Sequence, residues 1–226
     1  GWAAYGDANG IAELRGSTVD VKSIDASGAT HLARSFPVAT FERFRFMELH
    51  GTRLAYVDSV DKNESAVFVT TGPAGSPVRI APVGLKSDVA LRWSPDGRRL
   101  ALAFADVGAN GSATARVFDI ATGGSLISAG PALSLGGTSD YFESIAWLPD
   151  ASALLVMRDT HDPPKDCPQC VVFRPLDPAR PPVRLAPSVG MIGSYFLEPG
   201  GKSVLLGVGA PGSSSIWTAD YVPVKK

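Results

Sequence analysis

The sequence predicts an all-β protein, a β-propeller of about five four-stranded blades, and three observations lead to that prediction. A hairpin-like unit recurs along the chain, and two further strand-like runs follow most of its copies. Residues that favour turns separate these runs. The composition agrees, because 24 Gly and 18 Pro among 226 residues, with 45% hydrophobic residues, are typical of a turn-rich β protein.

The clearest copy of the unit lies in the middle of the chain, at residues 91–102, LRWSPDGRRLAL. Pro95 presets φ, Asp96 can accept hydrogen bonds from nearby backbone donors, and Gly97 tolerates the positive φ that closes a hairpin. Apolar and polar residues alternate on both sides of this turn. The run 115–124 then predicts a third strand that ends in another turn.

The same frame recurs at residues 46–56, 146–156 and 196–206. The aligned residues Leu54, Leu100, Leu154 and Val204 are 46, 54 and 50 residues apart. Third strands are predicted at 66–69, 116–119, 171–174 and 215–218, and fourth strands at 78–80, 125–127 and 183–185. In a degenerate first repeat, residues 7–10 predict a turn, and 19–25 and 30–32 an outer hairpin. Such sheets bury their faces only against neighbouring repeats.

These repeats predict a single domain over residues 1–226, with blades at approximately 1–34, 35–81, 82–129, 130–188 and 189–226. We expect the first and last blades to be incomplete or joined by a velcro strand. Residues 2–5 could be the innermost strand of the first blade or could close the last blade from outside. An unclosed ring would leave a sheet edge that invites a partner strand. A sandwich of ordinary hairpins is the alternative fold.

The central copy resembles the WD40-like repeat of TolB-type propellers, which also occurs in prolyl-oligopeptidase propellers. The resemblance rests on residues 93–101, WSPDGRRLA, followed by residues 117–123, VFDIATG. The copies around Trp147 and Phe196 are similar to a lesser degree. The resemblance implies a propeller fold and a location in the cell envelope.

Charge and hydropathy disfavour two classes of partner. The chain has 21 basic and 22 acidic residues, so it offers no cationic field to nucleic acid or to an anionic membrane surface. No apolar stretch approaches the roughly 18 residues that a membrane span needs. We therefore predict no nucleic-acid binding and no direct membrane insertion.

Acidic residues recur in the loops between second and third strands, which share one face of a propeller. We interpret this face as a docking surface for a protein partner; a cation held by carboxylates and ordinary solvated loops are the alternatives. Tyr141 and Phe142, in a connection between blades, are either hot-spot anchors at the same interface or seals between blades. The candidate loop residues are Asp58, Asp61, Glu64, Asp106, Asp159, His161 and Asp162.

The only two cysteines, Cys167 and Cys170, form a CxxC pair before a predicted strand. A redox CxxC usually begins a helix, whose dipole lowers the thiol pKa, so redox catalysis is disfavoured here. We predict a local disulfide, while free thiols or a metal site shared with His161 and with Asp162 or Asp166 remain open. A disulfide would favour an oxidising compartment.

The inventory of reactive residues disfavours catalysis. The three histidines fall in different repeats, and the sequence contains no G-x-S-x-G, phosphate-loop or H-E-x-x-H motif. We predict no catalytic residue and no cofactor.

The expected function is that of an accessory or scaffold subunit docking on a larger cell-envelope or membrane-protein complex, periplasmic or otherwise extracytoplasmic. The alternatives are a substrate-gating propeller of a serine peptidase and a metal-dependent propeller lyase or lactonase.

Overall fold

A computed structural model shows antiparallel sheets that follow one another along the chain. It describes residues 2–7, 10–37, 47–51, 53–62, 64–70, 76–83, 89–106, 112–138, 141–159, 169–185, 191–197, 203–210 and 213–220. All the regular secondary-structure elements in these ranges are β-strands. The protein is therefore all-β in the part that is described, as the repeats predict.

The first two sheets each contain four strands in chain order. The first sheet consists of β1 (Trp2–Asp7), β2 (Gly10–Arg15), β3 (Thr18–Ile24) and β4 (Thr30–Pro37). The second consists of β5 (Met47–His50), β6 (Arg53–Ser59), β7 (Ser65–Thr70) and β8 (Val78–Val83).

The remaining strands form three more sheets within the described ranges. The third contains β9 (Val89–Trp93), β10 (Arg99–Asp106), β11 (Ser112–Ile120), β12 (Leu126–Ala129) and β13 (Leu133–Thr138). The fourth contains β14 (Tyr141–Trp147), β15 (Ala153–Asp159), β16 (Gln169–Pro175) and β17 (Val183–Leu185). The fifth contains β18 (Met191–Leu197), β19 (Ser203–Ala210) and β20 (Ser213–Asp220).

The first sheet has four strands, so of the two places predicted for residues 2–5 the structure shows the one in the first sheet. β1 pairs with β2 from Trp2 opposite Leu14 to Asp7 opposite Gly10, as the innermost strand of its sheet. The fifth sheet has three strands among the described residues, and residues 221–226 lie outside them. The predicted third and fourth strands are confirmed in the other sheets.

The outer strand of the third sheet is split in two. β12 and β13 both pair with β11, β12 at residues 118–120 and β13 at residues 112–115. Gly130 lies between them and donates its N–H to the carbonyl of Val117 at 2.8 Å. β13 follows the predicted blade boundary after residue 129, yet it pairs within the third sheet.

The central hairpin turn has the hydrogen bonds that its sequence predicts. The Ser94 hydroxyl donates to Asp96 Oδ1 at 2.6 Å, and Asp96 Oδ1 also accepts the Arg98 N–H at 3.1 Å. These hydrogen bonds lower the pKa of Asp96. Gly97 has φ 66°, and Ala151, at the matching position of the fourth sheet, has φ 52°. The repeat thus preserves the backbone of the turn even where glycine is replaced.

Consecutive sheets pack face to face through apolar clusters. Within the described ranges, separate clusters join the first sheet to the second, the second to the third, and the third to the fourth. A further cluster brings Val204 of β19 against the fourth sheet. The first strands also touch in order, β1 with β5, β5 with β9, and β9 with β14. Each of these contacts buries one face of a sheet against the next sheet along the chain, as a repeat architecture requires.

Candidate functional site

The antiparallel strand order gives every sheet two different ends. The connections between first and second strands and between third and fourth strands share one end, which we call the turn end. The connections between second and third strands and those leading to the next sheet share the other, the loop-rich end. The candidate docking surface predicted from the sequence is this loop-rich end.

At the turn end, two tryptophans connect neighbouring sheets. The Trp93 indole N–H donates to the Glu48 carbonyl at 3.1 Å, and that of Trp147 donates to the Arg92 carbonyl at 3.0 Å. Glu48 and Arg92 occupy matching positions in β5 and β9. Both indoles are buried and both find an acceptor, as a buried tryptophan requires.

An arginine of the preceding sheet covers each of these tryptophans. The Arg53 guanidinium lies 4.5 Å from the Trp93 ring centroid, and that of Arg99 lies 4.8 Å from the Trp147 centroid. These are cation–π distances. Arg53 also donates to the carbonyl of Gly97 in the next sheet. We call each such pair, with its backbone hydrogen bonds, an arginine–tryptophan joint.

Arg53 and Arg99 therefore hold neighbouring sheets together at the turn end. Arg53 Nη2 donates to the Ala121 carbonyl at 3.0 Å, and Arg99 Nη2 to the Ala151 carbonyl at 3.4 Å. Burial lowers the pKa of Arg53. Sequence reasoning missed both arginines, although the tripeptide Arg-Leu-Ala at 53–55 and again at 99–101 is a visible signal.

The connection between β6 and β7, at the loop-rich end, is closed by its own hydrogen bonds. The N–H groups of Val60 and Asp61 donate to the Glu64 carbonyl at 2.9 and 3.2 Å. The Glu64 N–H donates to Asp61 Oδ1 at 2.9 Å. Val60, Asp61 and Lys62 are exposed, with Val60 at 42%. This loop thus presents an apolar, an acidic and a basic side chain on a backbone that is already organised.

Glu64 lies at the same end but is paired within the sheet. Its carboxylate forms an ion pair with Arg79 of β8. Both side chains are partly exposed, and a pair of this kind contributes little to stability. Its effect is to position the Glu64 carboxylate beside the loop and to balance its charge.

Asp58 is not an exposed docking residue, and this part of the prediction is wrong. It lies within β6 rather than in the loop and is 7% exposed. Its Oδ1 accepts the Ser59 N–H at 2.8 Å. Burial, with the nearby Asp58 charge as a second cause, raises the pKa of Tyr56. Asp58 therefore belongs to the packed interior between the first and second sheets.

Tyr141 and Phe142 begin strand β14 rather than occupy a connection. Phe142 is 2% exposed and lies in the cluster that joins the third and fourth sheets. Of the two interpretations given for it, the seal between sheets is the one that this packing supports, so the prediction of an exposed anchor is wrong for Phe142. For Tyr141 the structure describes only the backbone, which pairs with Asp159.

Two more candidate residues are the last residues of their strands, at the loop-rich end. Asp106 is the last residue of β10 and pairs with Ser112. Asp159 is the last residue of β15 and pairs with Gln169. Their backbones therefore lie where the sequence predicts, at the rim of the third and fourth sheets, while their side chains are outside the description.

The remaining candidates are not tested by the structure. His161, Asp162, Asp166 and Cys167 lie outside the described residues. Cys170 lies in β16, where its backbone pairs with Arg158. The disulfide between Cys167 and Cys170 stays a prediction.

The described residues contain neither a metal-binding cluster nor a membrane-spanning helix. No group of three or more His, Cys, Asp or Glu side chains there could hold a metal ion. No helix in the described part is long and apolar enough to cross a membrane.

The fold is similar to that of solved propeller structures. TolB from Acinetobacter baumannii superposes with a TM-score of 0.58 at 13% identity over 93% of this chain and 48% of that protein. A protein assigned as TolB from Agrobacterium tumefaciens gives 0.57 at 12% identity, over 94% and 73%. A protein from Bacteroides uniformis assigned as a 6-phosphogluconolactonase gives 0.53 at 17% identity, over 90% and 62%.

No protein-family model matches the chain, and no curated protein sequence does. The chain spans about half the length of the A. baumannii TolB, 48%, and 62% of the B. uniformis protein. At these identities the likeness concerns the fold alone. Taken with the four-stranded antiparallel sheets packed in sequence order, it shows that the chain has a propeller-like fold of the TolB type.

Proposed function

We propose that the chain is a five-bladed β-propeller that acts as a non-enzymatic protein-binding module through its loop-rich end. One observation carries the proposal, the exposed connection between β6 and β7 at the loop-rich end. At the turn end, arginines and indoles are used between sheets. At the loop-rich end, the N–H groups of Val60, Asp61 and Glu64 are bonded within the loop, and the side chains of Val60, Asp61 and Lys62 are exposed.

This combination of side chains suits a protein surface better than a small molecule. Protein interfaces combine an apolar centre with a polar rim of both charges. An interface needs about 800 Å² on each partner, more than one short loop provides. Connections from several sheets share the loop-rich end, so neighbouring loops can contribute to one surface.

The proposal extends to the biological setting. We infer an accessory or scaffold subunit that docks on a larger cell-envelope or membrane-protein complex, periplasmic or otherwise extracytoplasmic. The TolB-type fold and the predicted Cys167–Cys170 disulfide support that setting. Five sheets among the described residues support five blades, and ring closure between the first and fifth sheets is part of the proposal.

Photo-crosslinking from single positions tests the loop-rich end. A photoreactive amino acid replaces Lys62 at the loop-rich end or, as the matched control, Ala179 in an exposed connection at the turn end. We expect position 62 to crosslink one defined protein in a cell-envelope extract of the native source. Excess unmodified chain should remove that product, because both compete for the same partner surface. Position 179 should give no product that competes.

Two outcomes would contradict the proposal. Equal, competable crosslinking from positions 62 and 179 would mean that the loop-rich end is not the docking surface. No competable product from position 62 would remove the evidence for a protein partner there. A substrate-gating propeller or a metal-dependent lyase would then be the better hypothesis, since both would act through the central channel.

A further inference from the structure

Arg174 of β16 is a charged residue at a place where the second and third sheets bury uncharged ones. The matching residues there are Thr70 and Phe118, since each lies opposite the aligned core leucine of its second strand. Thr70 and Phe118 are 0% and 1% exposed, and Arg174 is 3% exposed. Burying a guanidinium group costs much free energy unless its charge and its N–H groups find partners.

The side chain of Arg174 has few partners. Its Nη1 donates to the Arg180 carbonyl, and this is its only hydrogen bond in the described part of the chain. The Nε atom is buried and has no acceptor. No described aromatic ring lies over this guanidinium, in contrast to those of Arg53 and Arg99. The edge formed by Nε and Nη2, which can bind a carboxylate or a phosphate with two parallel hydrogen bonds, is therefore not used.

The charge of Arg174 is likewise not balanced by an ion pair. No acidic side chain among the described residues lies within ion-pair distance of it. Burial lowers the pKa of Arg174, and the nearby Asp177 charge opposes this only in part. The Asp177 side chain is exposed, and its Oδ1 accepts the Ala179 N–H at 3.0 Å. An anion from outside the chain would complete these surroundings.

Arg184 of β17 shares the face of Arg174. It lies opposite Val172, which packs between the third and fourth sheets, and Arg174 follows two residues later on the same side of β16. Such diagonal neighbours on adjacent strands are about 7–8 Å apart. Arg184 is exposed and forms no ion pair with a described acidic residue. One small anion can therefore contact both guanidinium groups.

The turn between β16 and β17 positions Arg174 beneath an exposed part of the surface. The Arg180 N–H donates to the Asp177 carbonyl at 3.1 Å, so the Arg180 carbonyl that holds Nη1 belongs to a closed turn. Residues 177–181 are exposed. The guanidinium is thus held in one orientation before a ligand arrives, and such preorganisation favours binding.

We propose that Arg174 and Arg184 bind a small oxyanion, a phosphate or a carboxylate, at the turn end between the third and fourth sheets. The Nε–Nη2 edge of Arg174 donates two hydrogen bonds to the anion, and the exposed guanidinium of Arg184 donates to the same anion. This site lies at the opposite end of the sheets from the docking surface proposed above. The two proposals therefore succeed or fail independently.

The Nε–H signal of Arg174 in nuclear magnetic resonance spectra measures binding directly. We expect titration of the 226-residue chain with sodium phosphate or sodium acetate, at constant ionic strength, to shift this signal until it saturates. Saturation at a lower concentration of phosphate would identify a phosphate-type ligand, and the reverse order a carboxylate. Arg174→Met, in which the signal is absent, provides its assignment.

Thermal unfolding of Arg174→Met tests what the buried charge contributes. Replacing a buried charge by an apolar side chain of similar volume is often neutral or stabilising. We expect the variant to melt no lower than the unmodified chain in sodium chloride and not to respond specifically to phosphate. The unmodified chain should gain roughly 5–10 °C at about a hundredfold excess of phosphate over its dissociation constant.

Arg184→Gln tests the second guanidinium group without disturbing the buried one. We expect this substitution to weaken binding of the anion about tenfold, because one charge-assisted hydrogen bond is lost. Arg98→Gln is the matched control, an exposed arginine in a turn of the third sheet. It should leave the affinity within about twofold. Equal weakening by both substitutions would indicate a general effect of net charge and would exclude Arg184 from the site.

Three results would overturn the proposal. A gain in melting temperature that is the same in Arg174→Met as in the unmodified chain would be the general effect of an excluded salt. An Nε–H signal that moves with neither anion would show that none binds at Arg174. A lower melting temperature of Arg174→Met in chloride, with that signal unmoved, would assign Arg174 to holding the turn. If Arg174→Met does not fold, the titration and Arg184→Gln decide.

Discussion

The contact between the first and second sheets differs in chemistry from the next two contacts. It is aromatic, with the Phe36 and Tyr56 rings 5.5 Å apart and the Tyr56 and Phe68 rings 5.7 Å apart. The second and third sheets, and the third and fourth, meet through arginine–tryptophan joints. One repeat architecture thus accommodates two ways of joining its sheets.

The difference shows which part of a sheet contact is fixed by the fold. In all three contacts the turn of one sheet approaches the next closely: Gly10 lies against the Gly51 carbonyl, Arg53 reaches Gly97, and Arg99 reaches Ala151. Backbone proximity is therefore constant, while the side chains that fill the contact vary. An apolar contact depends on packing volume, whereas a joint depends also on directed hydrogen bonds.

Removing the indole of Trp147 should produce the largest loss of stability. We expect Trp147→Ala to lower the free energy of unfolding by about 3–5 kcal/mol, because it leaves a cavity in the core. Trp147→Phe should still cost about 1–3 kcal/mol, since the Arg92 carbonyl loses its donor. Phe36→Leu, the matched change in the aromatic contact, should cost less than about 1.5 kcal/mol. Urea unfolding with unchanged m-values measures all three.

The losses of stability in Trp147→Phe and Phe36→Leu together test whether the two kinds of sheet contact differ in energy. If Trp147→Phe costs no more than Phe36→Leu, the indole hydrogen bond adds nothing and the two kinds of contact are energetically alike.

Adding a methyl group at the closest backbone approaches should have an intermediate effect. A Cβ at Gly10 would lie 2.6 Å from the Gly51 carbonyl oxygen, and one at Gly97 would overlap the His50 ring. Gly97 also has φ 66°, which strains any other residue. We expect Gly10→Ala and Gly97→Ala each to cost about 1–3 kcal/mol in thermal or urea unfolding.

A second substitution distinguishes the two glycines. His50→Ala should recover part of the loss in Gly97→Ala by removing the overlap, but not the part due to φ. Gly10→Ala should show no recovery on His50→Ala, because its obstacle is backbone. Full recovery at Gly97, or any at Gly10, would refute this account.

The sequence predicted the sheets well because their turns have strong local chemistry. Pro95, Asp96 and Gly97 identify one hairpin, and the matching Pro149 and Asp150 identify another. The sequence analysis did not predict β13, because Leu133–Thr138 contains two glycines and resembles a connection between strands. It forms only because β11 is long enough to pair with both β12 and β13.

The candidate site was harder to predict, because exposure depends on where a strand ends. Asp58 and Phe142 were assigned to connections, but pairing extends β6 and β14 over both of them. A register shift between Phe142 and Ser144 lets β14 begin earlier than its alternation suggests. Asp61 lies in an exposed loop, as its sequence context suggests, because its carboxylate accepts the N–H of Glu64, a local hydrogen bond that needs no tertiary information.

The smallest losses of stability are expected for arginine-to-lysine substitutions, which compare the two arginine–tryptophan joints with each other. Arg53 donates to two carbonyls, those of Gly97 and Ala121, whereas Arg99 makes a single bond of 3.4 Å to the Ala151 carbonyl. Lysine retains the charge but not the planar fork that spans two acceptors. We therefore expect Arg53→Lys to cost about 1–2 kcal/mol in urea unfolding and Arg99→Lys less than about 1 kcal/mol.

Arg98→Lys is the control, since Arg98 is exposed and covers neither tryptophan. It should change stability by less than about 0.5 kcal/mol. Equal losses for Arg53→Lys and Arg99→Lys would mean that stacking on the indole, which the two joints share, dominates over hydrogen bonding. The order predicted here, Arg53 above Arg99 above Arg98, requires instead that the bonds to the neighbouring turn set the strength of each joint.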